Sequence, residues 1–323
     1  MKALIKTAKW ISRKLLPARP SEFPNSSAQI RQSLENRLGE QVTFIGDLSD
    51  GADHVTKIIS TRERTYALKL PRRENDAPTL LFRQRFAFRA LEGKLPLPEI
   101  HLATEYYILE DFIGGTLLHE ATPGEDAEQR IFTQLGQYLK AIHKTKTEGF
   151  GPIELDGTGQ FPTLKTYVKA ITDRWLPKWP PLGLLSPDEF NNLHDYLQRN
   201  AHFLDSKDPV MLHGDYEDHN IMVAEGDVSG VLDFADLSSG PAALDLARPF
   251  VRHYRDGKFE CLLEGYGKID PEELEYYAVL HCVRVIPRHA NLKEKQELDH
   301  ALEVLLDIIH PDTSNAHRFH SQH

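Results

Sequence analysis

One stretch, residues 210–246, limits what this chain can become more than any other. It reads VMLHGDYEDHNIMVAEGDVSGVLDFADLSSGPAALDL. The apolar run Val210, Met211 and Leu212 leads into His213, Gly214 and Asp215. Asn220 comes five residues after Asp215 and is followed at once by Ile221, Met222 and Val223. Glu225, Gly226 and Asp227 carry turn chemistry and send the chain into a second strand over 230–232, which ends at Asp233. The pattern predicts a hairpin that gathers Asp215, Asn220 and Asp233 around one cavity.

Oxygen-bearing side chains without a thiol or a paired imidazole suit a hard cation such as magnesium, which keeps waters and shares its shell with phosphates. The chemistry that fits is phosphoryl transfer. There one aspartate accepts the proton of an attacking hydroxyl, while an asparagine and a second aspartate hold the metal that bridges the nucleotide phosphates. On this reading Asp215 is the base, and Asn220 and Asp233 are the metal ligands. Taken singly, Asp215 and Asp227 read as turn residues, Asn220 as an Asx-turn and Asp233 as the cap of the next element. The joint pattern is much harder to obtain from turn chemistry.

The segment resembles the catalytic and metal loops of the aminoglycoside phosphotransferase family, and the likeness includes Asp236, Gly240, Pro241 and the Asp245-Leu246-Ala247 triplet. The resemblance implies an α+β, protein-kinase-like bilobal fold, with an antiparallel β-sheet N-lobe and a mainly helical C-lobe. It also implies that Asp245 steadies the catalytic loop rather than doing chemistry.

Upstream, 42–44, 55–59 and 65–70 read as strands of a meander. Within the third, Tyr66-Ala67-Leu68-Lys69-Leu70 alternates around one lysine. Such a lysine commonly snorkels to solvent; in a kinase-like lobe it grips the nucleotide's α and β phosphates, the reading favoured here. The loop between the first two strands, with Ser49 and Gly51, stands where the fold places its phosphate-covering turn. The helix over 80–91 supplies, in many relatives, a glutamate that pairs the strand lysine, but aligning back from Leu91 puts Gln84 there. The segment 83–100 is most similar to the hygromycin phosphotransferase branch. The strand over 106–109 runs into Glu110-Asp111-Phe112, where the resemblance implies an interlobe hinge, with main-chain groups of Glu110 and Phe112 reading the adenine edge.

Beyond it the periodicity predicts helices at 125–143, 161–175, 187–203, 242–254, 259–266, 271–285 and 292–309. His143 reads as a satisfied helix-end histidine. The predicted organisation is a basic amphipathic helix and linker (1–27), a nucleotide-binding lobe (28–112), a catalytic and acceptor-binding lobe (113–309) and an unstructured tail (310–323).

At 323 residues the chain can bury a large core, and two lobes are expected. Its net charge of −10 argues against a general nucleic-acid binder and tolerates a cationic substrate. Residues 1–20 nevertheless carry six basic side chains and no acid, a pattern that packs on its own lobe or touches a membrane or partner. Two cysteines without a CxxC spacing give neither a disulfide framework nor a zinc site, and point to a reducing, cytoplasmic home.

The functional expectation is a small-molecule kinase that uses ATP or GTP with magnesium to phosphorylate a hydroxyl of an aminoglycoside-like antibiotic, working as a monomer or dimer. A metabolic kinase acting on an amino alcohol, sugar amine or nucleoside is the alternative, followed by a nucleotide-binding interaction module. Glu217, Asp218, Asp236 and the carboxyl-terminal helices are candidates to meet the acceptor's amines, and spacing chooses none of them.

Overall fold

A computed structural model describes residues 27–50, 54–71, 77–205 and 208–310. The predicted basic helix and the tail therefore lie outside the described residues, except for Ser27 and His310. The chain divides into two compact units that interleave along the sequence. The first comprises Met1–Ala127, Pro152–Thr158 and His213–Leu237, and the second Glu128–Gly151, Gly159–Leu212 and Ser238–His323.

In the first unit, helix α1 (Ser27–Leu38) is followed by strands β1 (Thr43–Asp50), β2 (His54–Ser60) and β3 (Thr65–Pro71), helix α2 (Ala77–Leu91), and strands β4 (Ile100–Ala103) and β5 (Ile108–Asp111). The strands form one antiparallel sheet in the order β1-β2-β3-β5-β4. Alternation sets its faces. Tyr66 and Leu68 join Leu34, Val42, Ile59, Tyr107 and Leu109 in a buried cluster that takes in α1. The Ser33 and Tyr107 hydroxyls meet at 2.8 Å and fix that helix to the sheet. Ala67 and Lys69 consequently point to the opposite face. The first strand extends past the expected 42–44, because two irregularities let it keep pairing with β2 as far as Asp50↔Val55.

The predicted catalytic hairpin is present as β10 (Ile221–Ala224) and β11 (Asp227–Val231), paired antiparallel. Val210–Leu212 does not join it: this strand, β9, pairs instead with β12 (Ser238–Gly240). The hairpin belongs to the first unit, although contiguous lobes would put it in the second. The reason is its pairing. Strand β10 runs against β6 (Thr116–Leu117), and the Val231 N–H donates to the Pro96 carbonyl at 2.9 Å.

The second unit contains β7 (Phe150–Ile153, its last two residues in the first unit), β8 (Gly159–Phe161) and the remaining helices. These are α3 (Glu125–His143), α4 (Leu164–Trp175), α5 (Pro187–Arg199), α6 (Ala242–Arg252), α7 (Lys258–Tyr266), α8 (Pro271–Leu292) and α9 (Lys295–Ile309). Helix α3 has the predicted bounds, whereas α4 starts later because residues 159–161 are extended and Thr163 caps the helix.

The main departure is α8, which continues through Pro287 where a stop after Val285 was expected. Proline lacks the N–H that would bond the carbonyl four residues back, at Val283. The buried Trp179 supplies that donor, its indole N–H reaching the Val283 carbonyl at 3.1 Å. A side chain from another segment thus repairs the gap. Among the described residues no helix is long and apolar enough to cross a membrane.

Candidate active site

Lys69, Asp215, Asn220 and Asp233 all belong to the first unit, so their geometry can be built within one body. Asp215 follows a left-handed turn at Gly214, whose φ is +83°. A Cβ there would lie 2.0 Å from the Asp236 carbonyl oxygen, so both backbone conformation and space demand glycine. His213, fully buried, ties the segment carrying Asp215 to the one carrying Asp233. Its Nε2–H donates to the Leu232 carbonyl (3.0 Å), and its Nδ1 accepts from the Asp215 N–H (3.2 Å), a pairing that fixes one neutral tautomer. One ring therefore holds the main chain of Asp215 against the end of β11.

The Asn220 amide donates to both the Asp215 carbonyl and Asp215 Oδ2, each at 2.9 Å. Its nitrogen is thereby occupied and its oxygen is turned the other way, as a hard-cation ligand requires. The exposed His219 also reaches Asp215 Oδ2, at 3.1 Å. Asp233 sits just past β11 with φ +61°, an uncommon conformation for a residue other than glycine. Its neighbour Phe234 is fully buried, edge-on to Phe88 of α2 at 5.7 Å and against the His213 ring at 4.3 Å. Arg83 of α2 donates to the Ala235 carbonyl at 3.2 Å and to the Ile153 carbonyl at 2.7 Å. Helix α2 thus clamps the turn that presents Asp233.

Asp233 Oδ1 accepts from the Ala235 N–H at 3.2 Å, and Oδ2 lies 3.5 Å from His54 Nε2. Burial pushes the Asp233 carboxyl up, but the Lys69 ammonium, His54 and the Ala235 N–H together outweigh it and hold the group below the usual carboxylate range; Asp215 opposes them. That balance puts Lys69 and Asp215 within electrostatic reach of Asp233. A second cluster, Glu99, His101 and Asp111, has metal-ligand atom types within 4.8 Å of one another, with His101 and Asp111 already paired at 2.6 Å.

Lys69 is buried, and its ammonium has no aligned hydrogen-bond partner. A carboxylate does lie beside it: Glu110 Oε1 is 3.1 Å away. Gln84, at the position aligned with the expected glutamate, donates from Nε2 to Glu110 Oε2 at 2.7 Å. The resemblance implied a main-chain role for Glu110. In the structure its main chain runs inside the sheet, opposite Ala67 on β3 and Ile100 on β4, while its side chain meets Lys69. Phe112 is the first residue past β5. Ser49 pairs with Thr56 in the β1–β2 ladder, but its side chain and Gly51 lie outside the described residues.

Sequence reasoning missed His213, His54, His219, Arg83 and the Glu110 side chain. Only the HGD context could have signalled the first, because the others act across the fold. In the second unit Asp245 is buried and accepts from His143 Nε2 at 3.2 Å, while His143 Nδ1 meets the Tyr266 hydroxyl at 2.8 Å. His143 is therefore the satisfied helix-end residue expected.

A family model described as the phosphotransferase enzyme family matches residues 45–277. An aminoglycoside 3'-phosphotransferase from Niallia circulans is 25% identical over 268 residues, spanning 76% of this chain and 94% of that protein. A hygromycin-B 4-O-kinase from Escherichia coli is 21% identical over 230 residues, spanning 68% of this chain and 66% of that protein. Among solved structures, aminoglycoside phosphotransferase APH(4)-Ia matches with a TM-score of 0.67 at 18% identity, covering 88% of this chain and 98% of the other. A thermostable mutant of it, in ternary complex with AMP-PNP and hygromycin B, gives 0.66 at the same identity and coverage. The architecture is thus the α+β, kinase-like fold.

Proposed function

The chain belongs to the phosphotransferase enzyme family, and from that premise we propose that it transfers the terminal phosphoryl group of ATP or GTP to a hydroxyl of an aminoglycoside-like antibiotic. The observation that carries this reading is the buried Lys69 ammonium, which keeps unused donors within reach of Asp233. A buried ammonium with a carboxylate on one side and spare N–H donors on the other fits an anionic ligand that accepts from those donors.

Phosphoryl transfer asks the protein for alignment and charge neutralisation more than for covalent chemistry. Lys69 grips the nucleotide phosphates, helped by the turn carrying Ser49 and Gly51. Phe112 offers main-chain groups to the base just past β5. Asp215 orients the acceptor hydroxyl and takes its proton, and Asn220 and His219 hold that carboxylate in place. The oxygen of Asn220 and the carboxylate of Asp233 form a hard donor set suited to magnesium, which would neutralise the phosphate charge. The acceptor is a hydroxylated small molecule, cationic in keeping with the chain's net charge of −10. The expected setting is cytoplasmic.

The test is a magnesium-dependent nucleotide turnover panel that sets aminocyclitol antibiotics against choline, homoserine, glycated amines and nucleosides, with the product phosphate located by mass spectrometry. Turnover of an aminocyclitol supports the reading; turnover of a metabolite alone replaces it with a metabolic kinase. For Asp215→Asn the expected result is near-normal nucleotide binding with turnover lowered about a hundred- to ten-thousandfold, the usual value of a positioned base. Near-normal turnover would remove Asp215 from the mechanism.

A further inference from the structure

We propose that Glu110 is the residue that positions Lys69, so that the carboxylate anchoring the phosphate-gripping lysine stands on the sheet rather than on helix α2. The inference rests on the reading of Lys69 given above and deepens it.

The Glu110 side chain is 2% exposed and both its oxygens are engaged, Oε1 beside Lys69 Nζ at 3.1 Å and Oε2 accepting from Gln84 Nε2 at 2.7 Å. Gln84 is itself buried. A carboxylate is kept in such a place only when it is paired and hydrogen-bonded. The ladder explains the contact. Lys69 lies opposite Ile108 and Ala67 opposite Glu110, so Lys69 and Glu110 are diagonal neighbours on one face of directly paired strands. The helix position that would otherwise bear an acid holds a neutral amide. The acid therefore stands on the strand and the amide on the helix.

This arrangement alters what controls the lysine. The spacing between Lys69 and Glu110 is set by the β3–β5 register, and α2 reaches the pair through the Gln84 amide. Lys69 is thus placed by strand register, with α2 bracing the acid rather than supplying it.

Nucleotide affinity, measured by calorimetry with magnesium and ADP and no acceptor, tests this. Glu110→Gln should weaken affinity about tenfold, and the exchanged variant Gln84→Glu/Glu110→Gln should recover most of the loss by returning the acid to α2. An unchanged affinity in Glu110→Gln, or an exchanged variant that binds no better than Glu110→Gln, would overturn the proposal. Should Glu110→Gln fold poorly, a thermal-melt cycle with Lys69→Met reads the pair without ligand. The double variant Lys69→Met/Glu110→Gln should melt higher than Lys69→Met, which strands a buried carboxylate; no rise would refute the pairing. A wild-type chain that binds nucleotide but turns over no acceptor leaves this test intact while defeating the antibiotic reading. A chain that binds no nucleotide defeats the site reading, and the melting cycle still reports on Glu110.

Discussion

Cys282 lies fully buried in α8, and burial pushes its thiol up to about 12, well above the value of about 8.5 it has in an unfolded chain. The buried thiol therefore contributes stability fully below the unfolded value, and that contribution is lost as pH rises beyond it, because the unfolded chain releases the proton first. Native protein at pH 9 should leave Cys282 unlabelled by iodoacetamide and label it only after denaturation, as peptide mass spectrometry can show. Cys282→Ala should flatten the alkaline fall in melting temperature; an equally steep fall would place its origin elsewhere. Other single residues differ in how far they could be read in advance. Asp215, Asn220 and Asp233 stand close together in sequence, in a spacing turn chemistry seldom produces, so the hairpin was legible. Glu110 was not. Its place beside a strand end pointed to its main chain, and only the β3–β5 register shows that its side chain shares a face with Lys69.

Helices α3 and α7 were legible because their apolar periodicity is uninterrupted and local. The continuation of α8 was not, because the repair of the break at Pro287 comes from Trp179, far away in sequence. Trp179→Phe keeps most of the buried ring and strands the Val283 carbonyl, which should cost about 1–3 kcal/mol, the usual penalty for an unsatisfied buried polar group. The loss should be read by chemical denaturation. In a Pro287→Ala background the new N–H can bond Val283 directly, so Trp179→Phe should cost less there. Equal costs in both backgrounds would show that the indole contributes packing alone. Strand β9 shows the same limit, since 210–212 was recognisable as extended but its partner, Ser238–Gly240, lies beyond the hairpin.

For the whole molecule, composition and motifs indicated two bodies but not how the chain is shared between them. Three separated segments make up the first unit, because the hairpin carrying Asp215 and Asp233 pairs with β6 and hydrogen-bonds to Pro96. A fragment ending at residue 127 should therefore lack a stable fold despite containing the complete five-stranded sheet, and limited proteolysis should digest it much faster than the full chain. A protease-resistant fragment with the full chain's dispersed amide spectrum would contradict this. The same interleaving has a meaning for biosynthesis. The ribosome releases Lys69 and Glu110 long before it releases Asp215, so the proposed phosphate grip is made before the hairpin its unit needs in order to fold. A message cut short ahead of the hairpin would yield a chain with no means of transferring phosphate.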